Sequence, residues 1–385
     1  MRVAITNIGR IVSGNWRAPF AAGDTIVCAD GRISKVGTAS AAEVEACDVV
    51  IDAGGVTAIP GLIDSHVHIT FGDYTPRQRT VGYLESYLHG GVTTAISASE
   101  VHTPGRPKDP DGVKALAVAA QRCFADYRPG GVTVHAGSVI LEPGLTRADF
   151  DELKAQGVWL AKAGFGAFGA PLDYVPVARA ARAAGLIVTC HTGGGSIPGS
   201  LDRIDATAVI AMEAHVSFHV NGGPTAMAPE GNERIVVEGG EIALQLAMAG
   251  NLRSALDICR LAREHDRVDR LLVSTDTPTG TGVVPLGMLH LMAELVSLEG
   301  LTAEQAVAAA TGSVGRVYGL DAGLLEVGRP ADLLVLDAPL GSAGEDWAGA
   351  LQVGDMPALC AALTAGEVRY TRSRNTPAPK RPVRG

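Results

Sequence analysis

The central part of the chain alternates between short apolar runs and longer segments with helical periodicity. Eight apolar runs predict strands over residues 58–68, 92–98, 132–141, 158–165, 186–192, 215–221, 241–248 and 270–277. Segments such as 112–125 and 175–184 lie between them and carry apolar residues at helical spacing. Such an alternation of strands and helices is typical of βα units that build a parallel sheet. The pattern therefore predicts a parallel α/β barrel, in which the seventh run gives the weakest strand pattern.

The two ends of the chain follow a different pattern, with short strands and tight turns. Residues 24–34 predict a hairpin that turns through Asp30 and Gly31, and residues 49–52 predict a further strand. Residues 328–337 and 363–370 have the same character. We therefore predict that residues 1–57 and 321–370 form one small β-sandwich, and that residues 58–320 form the barrel between its two parts.

The last segment, residues 371–385, contains three prolines and five Lys or Arg residues and no acid. Its basic character is compatible with a nucleic-acid arm. We favour an extended basic tail that becomes ordered against a neighbouring subunit.

Composition narrows the class of protein. A chain of 385 residues can hold one large barrel and a smaller domain. Its net charge of −9 argues against a nucleic-acid partner. The chain lacks an 18-residue apolar run free of Gly, Pro and charge, and its start lacks a secretory h-region, so no membrane span or export is expected. Six widely spaced cysteines without a Cys-x-x-Cys pair indicate free thiols in a reducing cytoplasm.

The first predicted strand carries the densest candidate chemistry. Asp64, His66 and His68 are spaced two residues apart, so their side chains point to the same face of a strand. Two adjacent imidazoles are suited to a divalent metal such as zinc or iron.

Other strands end on residues that can support the same chemistry. Lys162 lies in an apolar strand, where a buried ammonium is costly; it either serves a chemical function or extends its amine to solvent. His191 ends the fifth strand, and the candidate histidine on the sixth strand is either His219 or His215. We favour His219 because it lies nearer the strand's C-terminal end. Asp276 ends the eighth strand and is either a proton carrier or a turn residue.

Two strings carry a resemblance to a known family. They are Asp-x-His-x-His directly after Pro-Gly-Leu-Ile at 60–68, and Gly-x-x-Ala-Asp-Leu-x-x-x-Asp at 328–337. The chain resembles the amidohydrolase superfamily, which implies a TIM-like barrel and a pair of divalent metals, zinc or iron. The resemblance also implies roles for six residues: His66, His68 and Asp276 on one metal, His191 and His219 on the other, and Lys162 as a bridging carbamate. Asp276 would also be the catalytic proton acceptor.

Further segments are similar to the enamidase family of lactam-opening hydrolases. They are residues 72–79, 89–94, 104–109, 191–200, 221–226 and 373–377. This resemblance implies a carboxylated cyclic substrate, 6-oxo-1,4,5,6-tetrahydronicotinate, and a homo-oligomer, namely a tetramer. This chain departs from the enamidase pattern at Lys162, because the residue that bridges the two metals in enamidases is acidic. Candidate partners for the substrate carboxylate are Arg77, Arg106 and Lys108, for which loop salt bridges are the alternative.

Two other function classes remain open at this point. One is an amidohydrolase of another specificity, such as a hydantoinase, a dihydropyrimidinase or a single-metal deaminase. The other is a non-enzymatic binding protein that retains the fold. The complete set of candidate ligands argues against the second class, and metal content distinguishes one-metal from two-metal chemistry.

Overall fold

The computed structural model describes residues 1–69, 80–100, 105–195, 203–223, 225–278 and 282–385, without the side chains of residues 80 and 81. The fold is mixed α/β. Its strands are β1 (Arg2–Thr6), β2 (Arg10–Val12), β3 (Phe20–Ala21), β4 (Thr25–Ala29), β5 (Arg32–Gly37), β6 (Val49–Asp52), β7 (Thr57–Pro60), β8 (Leu62–Val67), β9 (Val92–Ser97), β10 (Thr133–His135), β11 (Ser138–Ile140), β12 (Leu160–Ala163), β13 (Ile187–His191), β14 (Val216–Phe218), β15 (Ala243–Ala247), β16 (Leu271–Ser274), β17 (Leu333–Asp337), β18 (Ala358–Thr364) and β19 (Glu367–Tyr370). Its helices are α1 (Ala41–Glu45), α2 (Thr80–Leu88), α3 (Pro110–Phe124), α4 (Arg147–Ala155), α5 (Val175–Ala183), α6 (Ala206–Met212), α7 (Pro229–Glu238), α8 (Leu252–Glu264), α9 (Gly287–Glu299), α10 (Ala303–Ala310), α11 (Gly312–Tyr318) and α12 (Trp347–Gln352).

The central strands are parallel, as the alternating pattern predicts. They form a three-stranded sheet in the order β10-β9-β8 and a six-stranded sheet in the order β11-β12-β13-β14-β15-β16. A parallel bridge between Val67 and Thr277 joins β8 to the segment after β16, and the His68 amide donates to the Thr277 carbonyl at 2.8 Å. The first and last central strands therefore lie side by side, with their C-terminal ends at the same edge.

The predicted third strand is divided into β10 and β11. Gly137 lies between them with φ +97°, a conformation that side chains rarely adopt. The Glu100 carboxylate accepts the amides of Gly137 and Ser138 at 2.5 and 2.7 Å, so a side chain satisfies donors at the break in the strand.

The prediction of a single strand over residues 58–68 is wrong at its start. β7 pairs with β17 and β2, whereas β8 pairs with β9. The chain changes sheet at Gly61, where an added Cβ would lie 2.1 Å from the Thr93 hydroxyl. This close approach places Asp64 and His66 on the central sheet and leaves residues 57–60 in the terminal one.

The terminal segments form two further sheets, in the orders β5-β4-β1-β6 and β19-β18-β17-β7-β2-β3. Both ends of the chain contribute to one apolar cluster, which includes Ile5, Ile51, Leu333 and Leu363. The predicted hairpin is confirmed: β4 and β5 pair antiparallel, and both turn residues have positive φ. Helix α1 was not predicted because it has five residues and buries none of them.

The basic tail lies on its own chain. Arg374 pairs with Glu85 at 2.7 Å, Ser373 donates to the His89 carbonyl at 2.6 Å, and the Arg384 amide donates to the Asp52 carbonyl at 3.0 Å. Its order therefore does not require a neighbouring subunit, and its proximity to a subunit contact stays a prediction.

All six cysteines are free, as predicted. Among the described helices, none has the length and apolar character needed to cross a bilayer.

Candidate metal centre and active site

The candidate ligands lie at or just beyond the C-terminal ends of the central strands. β8 carries His66 and is followed by His68, β12 carries Lys162, and β13 ends at His191, while His219 and Asp276 follow β14 and β16. Their side chains come from distant parts of the sequence, yet all six residues are buried. Both His219 and Asp276 have positive φ, 31° and 58°. Such backbone conformations in non-glycine residues are typical of functional sites.

Three of these residues meet at one point. The Asp276 Oδ1 atom lies 3.0 Å from His66 Nε2 and 3.3 Å from His68 Nε2. One possible ligand atom from each residue lies within 4.8 Å of the other two. This is a donor set of two imidazoles and a carboxylate that one divalent cation can share.

Gln245 in β15 determines which nitrogen of His66 faces this point. Its Oε1 atom lies 2.8 Å from His66 Nδ1, and its amide nitrogen donates to the Ser65 hydroxyl at 2.7 Å. A carbonyl oxygen can only accept, so Nδ1 carries the proton and Nε2 presents a lone pair toward Asp276. Hydrogen bonding of this kind is how proteins orient imidazole ligands.

The second pair of histidines is prepared in a similar way. His219 Nδ1 lies 3.1 Å from the Thr192 carbonyl, which leaves its Nε2 available as a ligand atom. The rings of His191 and His219 are 4.5 Å apart, and those of His66 and His219 are 5.3 Å apart. An added Cβ at Gly164 would lie 2.4 Å from His191 Cβ. Glycine at this position therefore makes room for His191.

Lys162 lies beside these rings with 1% of its surface exposed. Its Nζ is 5.1 Å from the centre of the Phe165 ring and 5.2 Å from that of Phe218. Phe165 packs edge-on against His191, and Phe218 packs against His66. The amine therefore ends among the candidate ligands, so the alternative of a lysine that extends to solvent is wrong.

Burial determines the charge state of the histidines. It lowers the pKa of His66 and His68 and lowers that of His219 to about 3. Burial raises the pKa of Asp276, but the neighbouring imidazoles, His66 first, outweigh burial and hold that pKa well below its usual range. Neutral imidazoles and an ionised carboxylate are the protonation states that metal binding needs. The residues present therefore fit a divalent metal.

Comparison with known proteins shows the family of this chain. The sequence model described as the amidohydrolase family matches residues 57–359, a range that includes all six candidate ligands. The chain belongs to the amidohydrolase family.

Individual relatives extend this result to the whole length of this amidohydrolase. It is 44% identical over 381 residues to an enamidase of Eubacterium barkeri, covering 99% of this chain and 98% of that protein. It is 25% identical over 370 residues to an imidazolonepropionase of Rhizobium rhizogenes, covering 80% and 85% of the two chains. A crystal structure of enamidase at 44% identity superposes with a TM-score of 0.93 and covers both chains fully. A β-aspartyl dipeptidase from Fervidobacterium islandicum, at 16% identity and a TM-score of 0.67 over 97% and 98% of the chains, shares the fold.

The residues predicted to bind a substrate carboxylate have different positions in this amidohydrolase. Arg77 lies outside the described residues. Lys108 is exposed. Arg106 is buried, and its guanidinium contacts the Glu142 carboxylate and the Phe165 carbonyl. The guanidinium of Arg106 is thus engaged inside the protein, whereas Lys108 lies at the surface.

His215, the alternative ligand on the sixth strand, lies at the other end of β14. The Val188 amide donates to its Nδ1 at 3.0 Å, and it lines a separate cavity of about 430 Å³ with Arg182 and Glu238. His219 is therefore the histidine of this strand that joins the candidate centre.

Sequence reasoning missed Gln245 and did not recognise the full role of Asp64. Gln245 could have been noticed as a lone polar residue within the apolar run 243–247. The role of Asp64 extends beyond strand spacing: it accepts the Thr275 hydroxyl at 2.5 Å and the Thr275 amide at 3.2 Å. It therefore holds the residue that precedes Asp276. Burial raises the pKa of Asp64 to about 7.

Proposed function

We propose that this chain is an enamidase-type hydrolase of cyclic amides. Its substrate would be 6-oxo-1,4,5,6-tetrahydronicotinate, or a close carboxylated cyclic enamide. One water opens the ring, and a second hydrolyses the resulting enamine, giving 2-formylglutarate and ammonia. The observation that carries this proposal is the cluster of His66, His68 and Asp276, in a chain similar to an enamidase over nearly its full length.

The proposal includes two divalent cations, zinc or iron. His66, His68 and Asp276 would hold one, His191 and His219 the other, and a carbamate on Lys162 would bridge them. When bound, such cations supply Lewis-acid chemistry, because they lower the pKa of water and polarise a carbonyl. The donor set supports this assignment, since the burial of Lys162 among the candidate ligands favours a chemical role over a structural one.

Asp276 would be the proton carrier. Its Oδ1 atom lies at the meeting point of His66 and His68, and its low pKa keeps it ionised and able to accept a proton from water. The same carboxylate can then deliver the proton to the ring nitrogen as the C–N bond breaks. An enamide nitrogen leaves more readily than an ordinary amine because it is conjugated to a C=C bond.

Recognition of the ring carboxylate would fall to a loop cation. Arg77 and Lys108 remain candidates, and Arg106 is the weakest of the three because its guanidinium is engaged by Glu142 and Phe165. Arginine is favoured at such positions because it makes two parallel hydrogen bonds to a carboxylate.

The finer architecture belongs to the same proposal. We infer that the central strands form an eight-stranded TIM-like barrel, with β10 and β11 together as its third strand, and that the terminal sheets form a β-sandwich. The Val67–Thr277 bridge and the apolar cluster shared by both chain ends support this. A cytoplasmic homotetramer completes the proposal, and the free cysteines support the reducing compartment.

The test is a substrate panel in which ring opening is followed by mass spectrometry and ammonia is measured as a second product, because opening hydantoin or dihydrouracil releases no ammonia. Purified, metal-loaded enzyme is offered the tetrahydronicotinate, hydantoin and dihydrouracil. We expect ring opening, followed by release of ammonia, only for the first, and Asp276→Asn should lower that rate by about 10²–10⁴-fold. Asp151→Asn, which alters an exposed carboxylate in α4, is the matched control. Rapid opening of hydantoin or dihydrouracil with no reaction of the tetrahydronicotinate would reject the proposed specificity.

A further inference from the structure

A buried ion pair joins two strand-end loops next to the candidate centre. Arg106 lies in the loop between β9 and α3, and Glu142 follows β11; their side chains are 3% and 0% exposed. A guanidinium Nη1 atom contacts Glu142 Oε1 and also donates to the Pro107 carbonyl at 2.8 Å. A fully desolvated charge pair is costly to assemble, and its position therefore calls for an explanation.

Both members of the pair also hold the segment that follows β12. Arg106 donates through Nη2 to the Phe165 carbonyl. The second oxygen of Glu142 accepts the Ala167 amide at 2.6 Å. The Tyr174 hydroxyl donates to the carbonyl of the intervening Gly166 at 3.0 Å. Three consecutive residues are thus each fixed by a backbone hydrogen bond.

The packing of this segment leaves no room for a side chain at two of its positions. An added Cβ at Gly164 would lie 2.4 Å from His191 Cβ, and one at Gly166 would lie 2.0 Å from the Leu141 carbonyl oxygen. The segment is therefore held by the ion pair on one side and confined by His191 on the other.

The side chain delivered by this segment is Phe165. Its ring centre lies 5.1 Å from Lys162 Nζ and 4.9 Å from the His191 ring, which it meets edge-on at 74°. Lysine is a flexible side chain that loses rotamer entropy when it is held in one position. An aromatic wall in a fixed position limits the rotamers that Lys162 can adopt.

We propose that the Arg106–Glu142 pair is a positioning element of the metal centre. It holds the backbone of residues 165–167 and thereby keeps the Phe165 ring against Lys162 and His191. This inference rests on the proposed function for the bridging role of Lys162. It also gives Arg106 a role different from binding the substrate carboxylate.

Arginine is suited to this task because its planar fork can contact a carboxylate and a carbonyl at once. The compact ammonium of lysine lacks that fork. Removing Arg106 alone would leave Glu142 buried and unpaired, which destabilises the fold. The informative variant is therefore the double substitution Arg106→Met with Glu142→Gln. It removes both charges, retains an acceptor for the Ala167 amide and loses the bond to the Phe165 carbonyl.

The experiment compares this double variant with the wild type and with Arg147→Met, which disrupts an exposed ion pair in α4. Three quantities are measured: metal per chain, the ¹³C carbamate signal after growth with labelled bicarbonate, and kcat and KM. We expect the double variant to lose about tenfold in metal affinity, with a parallel loss of carbamate signal. We expect kcat to fall equally for carboxylated and uncharged cyclic enamides, and Arg147→Met to match the wild type.

Two results would overturn the inference. One is a folded double variant with wild-type metal affinity and carbamate signal. The other is a rise in KM confined to carboxylated substrates, which would make Arg106 a substrate ligand. The wild-type measurements test the proposed function separately. If the wild type leaves the lactam intact while the double variant still loses metal, the proposed substrate is wrong and the positioning role stands.

Discussion

The hydrogen bond between Gln245 and His66 gives a quantitative test of the candidate metal centre. In Gln245→Met the side chain keeps a similar length but loses its acceptor for His66 Nδ1 and its donor to the Ser65 hydroxyl, now at 2.8 and 2.7 Å. The imidazole proton can then move to Nε2, the nitrogen that faces Asp276. A protonated Nε2 cannot bind a metal.

The expected loss follows from the kind of contact removed. Replacing a hydrogen-bond partner of a metal-binding histidine typically costs about 10–100-fold in metal affinity. That corresponds to about 1.4–2.7 kcal/mol. Three buried polar groups would also lose Gln245 as a partner: the His66 ring, the Ser65 hydroxyl and the His219 amide, which donates to it at 3.4 Å. Each loss costs about 1–3 kcal/mol in folding stability. Unfolding in urea therefore needs to be measured alongside metal binding.

The assay is competition for zinc against a chromophoric chelator, with metal per chain measured by elemental analysis. Gln352→Met, at an exposed position in α12, is the matched control and should bind as the wild type does. Gln245→Glu should retain more affinity than Gln245→Met, because a carboxylate still accepts the Nδ1 proton. If folded Gln245→Met binds zinc as tightly as the wild type, Gln245 does not set the His66 tautomer and the reasoning fails.

Three further predictions concern the bridge, a buried acid and the assembly. Lys162→Ala should lose metal and activity, and short carboxylic acids should partly restore the rate. An alanine variant that is active and retains its full metal content would exclude the carbamate. Burial raises the pKa of Glu100 to about 8, so its folded state binds the proton more tightly than the unfolded chain. The resulting contribution to the free energy of unfolding is present in full below about pH 4.5. It falls by about 1.4 kcal/mol per pH unit as the pH rises toward 8. In urea unfolding at pH 6 and 8, Glu100→Gln should lose less stability than the wild type, and equal losses would refute this account. Light scattering at micromolar concentration should give a tetramer, and a monomer would refute the assembly.

The sequence alone predicted the mixed α/β class with its parallel strands, and it named the candidate ligands. Strand and helix periods are local properties, so the alternating central pattern and the Asp30–Gly31 hairpin were predictable from neighbouring residues. The spacing of His66 and His68 placed both on one strand face for the same reason. The six candidate ligands could be named because each ends, or nearly ends, an apolar run that is visible in the sequence, and their roles as ligands came from the resemblance to the amidohydrolase superfamily.

The tertiary structure decided which side chains meet. Gln245 and His66 are 179 positions apart, and Arg106 reaches the Phe165 carbonyl across 59 positions. The sheet change at Gly61 was equally hidden, because β7 and β8 are both apolar and β7 differs only in pairing with β17 and β2. Periodicity records which face of an element is buried. It does not record the partner across the sheet or loop, which is chosen by packing and by the need of each buried polar group for a hydrogen bond.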